Sequence, residues 1–139
     1  MMILVLDASF AAAWLLPEQH SEAAETLVAG LRGQSPVPSL FWHEARSIVL
    51  TAERRGRIVP GESIAAMARL RRLPLEDAGA GRDGAIIELA TGHGLSAYDA
   101  AYLALAIETA LPLATLDRKL AVAARGQGVR ILGPLANGD

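Results

Sequence analysis

Four carboxylates, Asp7, Glu44, Asp99 and Asp117, stand where the chain changes from one residue pattern to another. Asp7 closes the apolar run Met2 to Leu6 and opens the stretch Phe10 to Leu16; Asp117 closes the run from Leu111 to Leu116 and opens Arg118 to Arg125. Asp99 lies three residues after Ser96 at the head of the nearly all-apolar stretch Ala97 to Ala110, and Glu44 lies near the head of the pattern that starts at Ser39. Taken singly, each has a plain structural explanation. Asp7 and Asp117 read as helix N-caps, and Asp99 as the acidic partner of Ser96 in a capping box, a type of cap worth up to ~2 kcal/mol. Glu44 reads as a helix-start glutamate favoured by the macrodipole.

Taken jointly, the four converge. In a parallel α/β sheet the C-terminal ends of the strands and the N-terminal ends of the following helices share one edge, the edge on which ligands bind. Carboxylates gathered there repel one another, and the repulsion is relieved by raised pKa values or by a hard divalent cation. An oxygen-only donor set points to Mg²⁺ or Mn²⁺. Such ions activate water for in-line attack on a phosphodiester and stabilise the leaving oxygen.

The rest of the composition narrows the alternatives. There is no cysteine, which excludes disulfides, thiolate metal sites and cysteine nucleophiles and makes the cytoplasm the simplest compartment. His20, His43 and His93 are too widely spaced in sequence to suggest a zinc site. The apolar run at residues 2 to 6 ends at Asp7 with no charged segment before it, so neither a signal peptide nor a membrane span is expected. A net charge of -2 leaves only local basic patches to grip a nucleic acid.

The elements that must position the acids follow from the punctuation. Met2 to Leu6 reads as a strand, and the helix after it breaks at Pro17. Ser21 and Glu25 open a second amphipathic stretch that ends near Gly33, and Val37 sits in a short extended segment between Pro36 and Pro38. Helices are expected from Ser39, with Phe41, Ala45, Ile48 and Ala52 on one face, over Glu62 to Leu73 after Pro60, and over Gly81 to Gly94. Pro74 to Ala78, Leu111 to Leu116 and Val129 to Leu132 complete the strands. Strands alternating with helices imply a three-layer α/β/α domain with a mainly parallel central sheet. Residues 1 to 135 read as a single domain at this length, and Ala136 to Asp139 as a frayed tail.

Four blocks carry a family resemblance: LVLDAS at residues 4 to 9, PSLFWHEARSIV at 38 to 49, LSAYDAAYLALA at 95 to 106 and PLATLDRKL at 112 to 120. Together they resemble the PIN domain over almost the whole chain, most closely the VapC-type ribonuclease toxins of bacterial toxin–antitoxin pairs; the last two blocks in tandem are the specific ones. The resemblance implies a PIN-like fold and an acidic catalytic metal site of Asp7, Glu44, Asp99 and Asp117. It implies Ser9 and Thr115 as hydroxyl neighbours that hydrogen-bond the carboxylates or a metal-bound water, placed with Arg46 and Arg118 among the substrate-binding candidates. It also implies an RNA substrate, an antitoxin partner seated in an apolar groove, and a homodimer formed through a helical surface. The chain departs from the family after the glutamate, where a hydrophobic residue and an asparagine often stand and here Ala45, Arg46 and Ser47 do. How the Glu44 helix is pinned stays open.

Seven of the thirteen basic residues fall between Arg46 and Arg72, and Arg118 with Lys119 flanks Asp117. Phosphate contacts would draw on such a group, with Arg46 the foremost, although solvated helix faces explain any single arginine equally well. Trp14, Leu15 and Leu16, with Phe41 and Trp42, read either as core or as surface for a bound peptide or a second subunit. Two rival functions follow from the same residues. A PIN-fold module could hold RNA or protein without cutting, whereas a phosphoacceptor receiver domain would want paired acids after the first strand and a lysine late in the sheet; Asp7 has no acidic neighbour and Lys119 is the single lysine.

Overall fold

The computed structural model describes residues 2–17 and 21–137. Among them the chain runs β1 (Val5–Leu6), α1 (Ala8–Leu15), α2 (Ser21–Ala29), β2 (Ser35–Val37), α3 (Leu40–Arg54), α4 (Glu62–Arg71), β3 (Leu75–Asp77), α5 (Asp83–His93), α6 (Ala97–Thr109), β4 (Leu113–Ala114), α7 (Arg118–Gly126) and β5 (Ile131–Leu132). Every strand pairing is parallel: β1 with β4, β4 with β5, and β2 with β3. The element types are those expected from the sequence, and the strands are shorter.

The reason for the short strands lies at the join between the two paired groups. β2 contains Pro36, which has no N–H to give to a ladder, and the Leu4 N–H is met by the Ser35 hydroxyl at 3.2 Å. Further back, Met2 forms an isolated parallel bridge with Leu31. The β2–β3 pair therefore abuts the segment leading into β1 through the Ser35 side chain, and the bridge joins the stretches that precede β1 and β2. With β1 between β2 on one side and β4 on the other, the direction of winding reverses between β1 and β4, and in open α/β sheets the crevice at such a reversal is where ligands bind.

Two groups of helices flank the sheet. α1, α2, α3 and α4 pack on one another, while α6 packs on α5 and α7 and lies against β1, β2 and β4. α6 can approach the strands closely because Ala100, Ala101 and Ala106 are small, and with Tyr102 and Leu103 they are buried. The core is Leu, Val and Ala with Phe10, Phe41 and Tyr102 as its largest fully buried side chains. Of the two readings of the aromatic stretches, the core one holds: Leu15, Leu16, Phe41 and Trp42 are all in the core, and they form no continuous surface with Trp14. Phe41 and Trp42 meet edge to face at 5.1 Å, and Arg71 covers the Trp42 ring at 3.7 Å. Ala136 and Asn137 lie in a turn anchored by the Ala136 N–H to the Gly133 carbonyl; the remainder of the expected tail lies outside the described residues. No described helix is long and apolar enough to cross a membrane.

Candidate active site

Asp7 is the innermost of the four carboxylates, 3% exposed at the end of β1. It caps α1, accepting from the Phe10 N–H at 3.0 Å, so the plain capping explanation is true of it and does not exhaust it. The same oxygen, Oδ1, accepts from the Ser9 hydroxyl at 2.7 Å, and Oδ2 accepts from the Thr115 hydroxyl. Both hydroxyls are themselves aimed by backbone donors: Leu116 N–H gives to Ser9 Oγ at 3.1 Å and Asp117 N–H to Thr115 Oγ1 at 3.0 Å. With their lone pairs so occupied, each hydroxyl points its proton at Asp7. Burial pushes the Asp7 carboxyl up to about 6, against the pull of Thr115, Ser9 and Phe10, and Asp99 adds to the rise. Thr115 is fully buried, a position for a hydroxyl that orders carboxylates and not for one that reaches a substrate.

Asp117 follows β4 as the cap of α7, accepting from the Leu120 N–H at 3.1 Å. Asp99 sits in the first turn of α6, where Ser96 is the cap and accepts from the Asp99 backbone N–H at 3.1 Å. The cap is thus served by the Asp99 main chain. The Asp99 side chain faces the other acids: burial raises its pKa, followed by the charges of Asp117 and Glu44, and Asp117 is near enough to share a hydrogen bond with it. Ser96 also hydrogen-bonds the Asp99 carboxylate and pulls its pKa down against these. Glu44, half-buried on α3, accepts at Oε1 from the Tyr102 hydroxyl at 2.6 Å. Burial and then Glu44 hold the Tyr102 phenol well above its ordinary range. Tyr102 was not among the residues picked out from the sequence. The signal for it was its place three residues beyond Asp99 on the same helix, which puts both side chains on one face.

The four acids are therefore linked in charge through Asp99, with both strand ends and the heads of α3 and α6 contributing. Among the described residues no three of them already stand at the spacing of a metal-coordination set. The donor chemistry nevertheless fits a hard divalent cation: oxygen only, like-charged, and partly desolvated, with Asp7 and Asp99 made harder to ionise by burial and by neighbouring acids.

Around this cluster, Arg46 and Arg118 are exposed, Arg46 bonding His43 Nδ1 at 2.9 Å. A cleft of about 410 Å³ opens from Ser9 and Leu116 and runs between α1 and α3, past Ile48 and Thr51 to Arg55 and Arg57. Of the other clustered arginines, Arg69 and Arg71 lie over the rings of Trp14 and Trp42.

The PIN domain family model matches residues 4–126 of this chain. Ribonuclease VapC3 of Pyrobaculum aerophilum is 35% identical over 131 residues, which span 86% of this chain and 93% of that protein. Among solved structures, the fold is similar to that of Mycobacterium tuberculosis VapC20, described as a sarcin-ricin loop cleaving toxin, with a TM-score of 0.66 at 16% identity over 86% of this chain and 94% of the other. It is also similar to a chain in a toxin-antitoxin complex from Klebsiella pneumoniae, with a TM-score of 0.59 at 17% identity over 84% and 88%.

Proposed function

The chain belongs to the PIN domain family, in its VapC-type branch, and on that premise we propose that it is a divalent-metal-dependent endoribonuclease, the toxin of a toxin–antitoxin pair. The observation that carries the reading is the charge linkage of four oxygen-donor side chains at the reversal point of the sheet: Asp99 feels Asp117 and Glu44, and Asp7 feels Asp99. In this reading Asp7, Glu44, Asp99 and Asp117 hold Mg²⁺ or Mn²⁺. Such an ion, when bound, supplies activation of water and charge stabilisation at the leaving oxygen.

The chain's own groups do the rest. Ser9 and Thr115 keep Asp7 ionisable and fixed, Asp99 and Asp117 present adjacent oxygens, and Arg46 and Arg118 at the rim hold the phosphates on either side of the scissile bond. RNA as substrate is supported by the names of the relatives, one a ribonuclease and one a sarcin-ricin loop cleaving toxin. An antitoxin as partner is supported by the toxin-antitoxin complex. We further take residues 1–135 as one domain acting in the cytoplasm, paired as a homodimer through the α5–α6 surface, where Ile87 and Ile107 are exposed.

The experiment is cleavage of structured and single-stranded RNA with Mg²⁺ or Mn²⁺, repeated in excess EDTA. Cleavage that stops on chelation and leaves 5′-phosphates is expected, since an ion held by the four acids would supply the activation of water. Unchanged cleavage in EDTA, or cyclic 2′,3′-phosphate ends, overturns the mechanism. The second reading, a PIN-fold module that binds RNA or protein without cutting, draws on the open spacing of the carboxylates among the described residues. It predicts RNA retention with no products under both conditions.

A further inference from the structure

Glu44 has three side-chain torsions between its backbone and its carboxylate, and freezing such a chain in one orientation has an entropic cost that a fixed partner must offset. Tyr102 is that kind of partner. Its ring is 1% exposed in the core under α6, and its hydroxyl reaches Glu44 Oε1 at 2.6 Å, across 58 residues of sequence and from one helix to another. The distance is that of a short, well-formed O–H···O hydrogen bond from a hydroxyl to a carboxylate oxygen. The bond joins α6, which carries Asp99, to α3, which carries Glu44. The residues that follow Glu44 cannot serve instead: Ala45 has no polar group, Arg46 bonds His43, and Ser47 is exposed along the cleft.

We propose that Tyr102 is the positioning residue for Glu44, engaging Oε1 and so holding the carboxylate in the orientation it would present to a divalent cation. The inference rests on the metal-site reading above. Partners that orient a metal ligand in this way typically contribute ~10–100-fold to metal affinity. A tyrosine kept only for its ring would contribute to folding and leave metal affinity alone.

The test is a Mn²⁺ titration of the whole protein, read as free Mn²⁺ by electron paramagnetic resonance, on wild type, Tyr102→Phe, Glu44→Gln and the double variant. Tyr102→Phe keeps the ring and removes the hydroxyl. It is expected to raise the Mn²⁺ Kd about tenfold in the wild-type background and to change it less than twofold in the Glu44→Gln background, since the oriented charge is then gone. An unchanged Kd in Tyr102→Phe, or the same change in both backgrounds, overturns the positioning role. Should Tyr102→Phe fail to fold, Glu44→Asp tests the bond from its other end, keeping the charge but withdrawing the carboxylate from the hydroxyl. The same loss is expected there, and an unchanged Kd again overturns the proposal. Wild type that takes up no Mn²⁺ fails at an earlier step, and overturns the metal-site reading together with the inference built on it.

Discussion

Asp7 is surrounded by donors and buried at once, and the two effects oppose each other. Three donors favour its ionised form, yet burial prevails and its pKa stands at about 6 against 3.8 for a free side chain. Between those values the folded protein binds a proton that the unfolded chain has already released, so stability in excess chelator must fall as pH rises through this interval and level off above it. The contribution is at most on the order of 3 kcal/mol. Denaturant melts from pH 4 to 7 in EDTA check this. A fall in wild type that is smaller in Asp7→Asn is expected, and a rise would contradict the burial argument. Asp99 allows a sharper separation of cap from site. Ser96 accepts from the Asp99 backbone N–H, which Asp99→Asn retains, and it also bonds the Asp99 side chain, whose amide oxygen in Asn can still accept that bond. The carboxylate's charge, which Asn removes, is the part that feels Asp117 and Glu44. Neutralising it is therefore expected to leave chelator-treated stability equal or higher, to abolish the stabilisation that wild type gains from Mg²⁺, and to abolish cleavage. An Asn variant that is less stable in EDTA yet still gains from Mg²⁺ would return Asp99 to a capping role.

At the scale of elements, α3 and α4 show how a cluster of arginines divides between structure and substrate. α4 begins at Gly61, which offers no capping oxygen, and the cap is supplied from α3: Glu53 Oε1 accepts from the Gly61 and Ser63 N–H groups at 3.0 and 3.1 Å. Those bonds hold the Glu53 carboxyl below its usual range. From the other end of α4, Arg69 and Arg71 reach back over Trp14 and Trp42. Arg71→Ala is thus expected to lower stability by ~0.5–2 kcal/mol through lost cation–π contact and packing, with KM for RNA unchanged. Arg46→Ala, at an exposed site near Glu44, is expected to do the reverse, raising KM several-fold with little change in melting. Paired melts and steady-state kinetics on the two variants check both halves, and a KM effect confined to Arg71→Ala would exchange their roles.

For the whole molecule, the reversal of winding between β1 and β4 places the acid cluster and the α1–α3 cleft side by side, joined at Ser9 and Leu116. An inhibitory protein segment lying in this cleft would end at the acids and exclude RNA from them. The expected position of a bound antitoxin moves accordingly, from the aromatic side chains to the cleft walls. Hydrogen exchange on the complex is expected to show added protection in residues 8–16 and 47–57. Protection restricted to residues 74–94 would place the partner elsewhere.

The places of Asp7 and Asp117 were legible in the sequence because each stands at a boundary between elements, and boundaries are written locally: both end apolar runs and begin helices that they do cap. The alternation of strands and helices was legible for the same reason, since periodicity and proline positions are properties of short windows. Tertiary structure alone decided the length of the strands, because a strand extends only as far as a partner offers backbone groups, and at β2 Pro36 offers a carbonyl but no N–H. It decided that Trp42 is covered, because the covering group is Arg71 on another helix. It also decided what holds Glu44, for the hydroxyl that reaches it comes from Tyr102, 58 residues further along the chain, and no local pattern records which side chains a fold brings together.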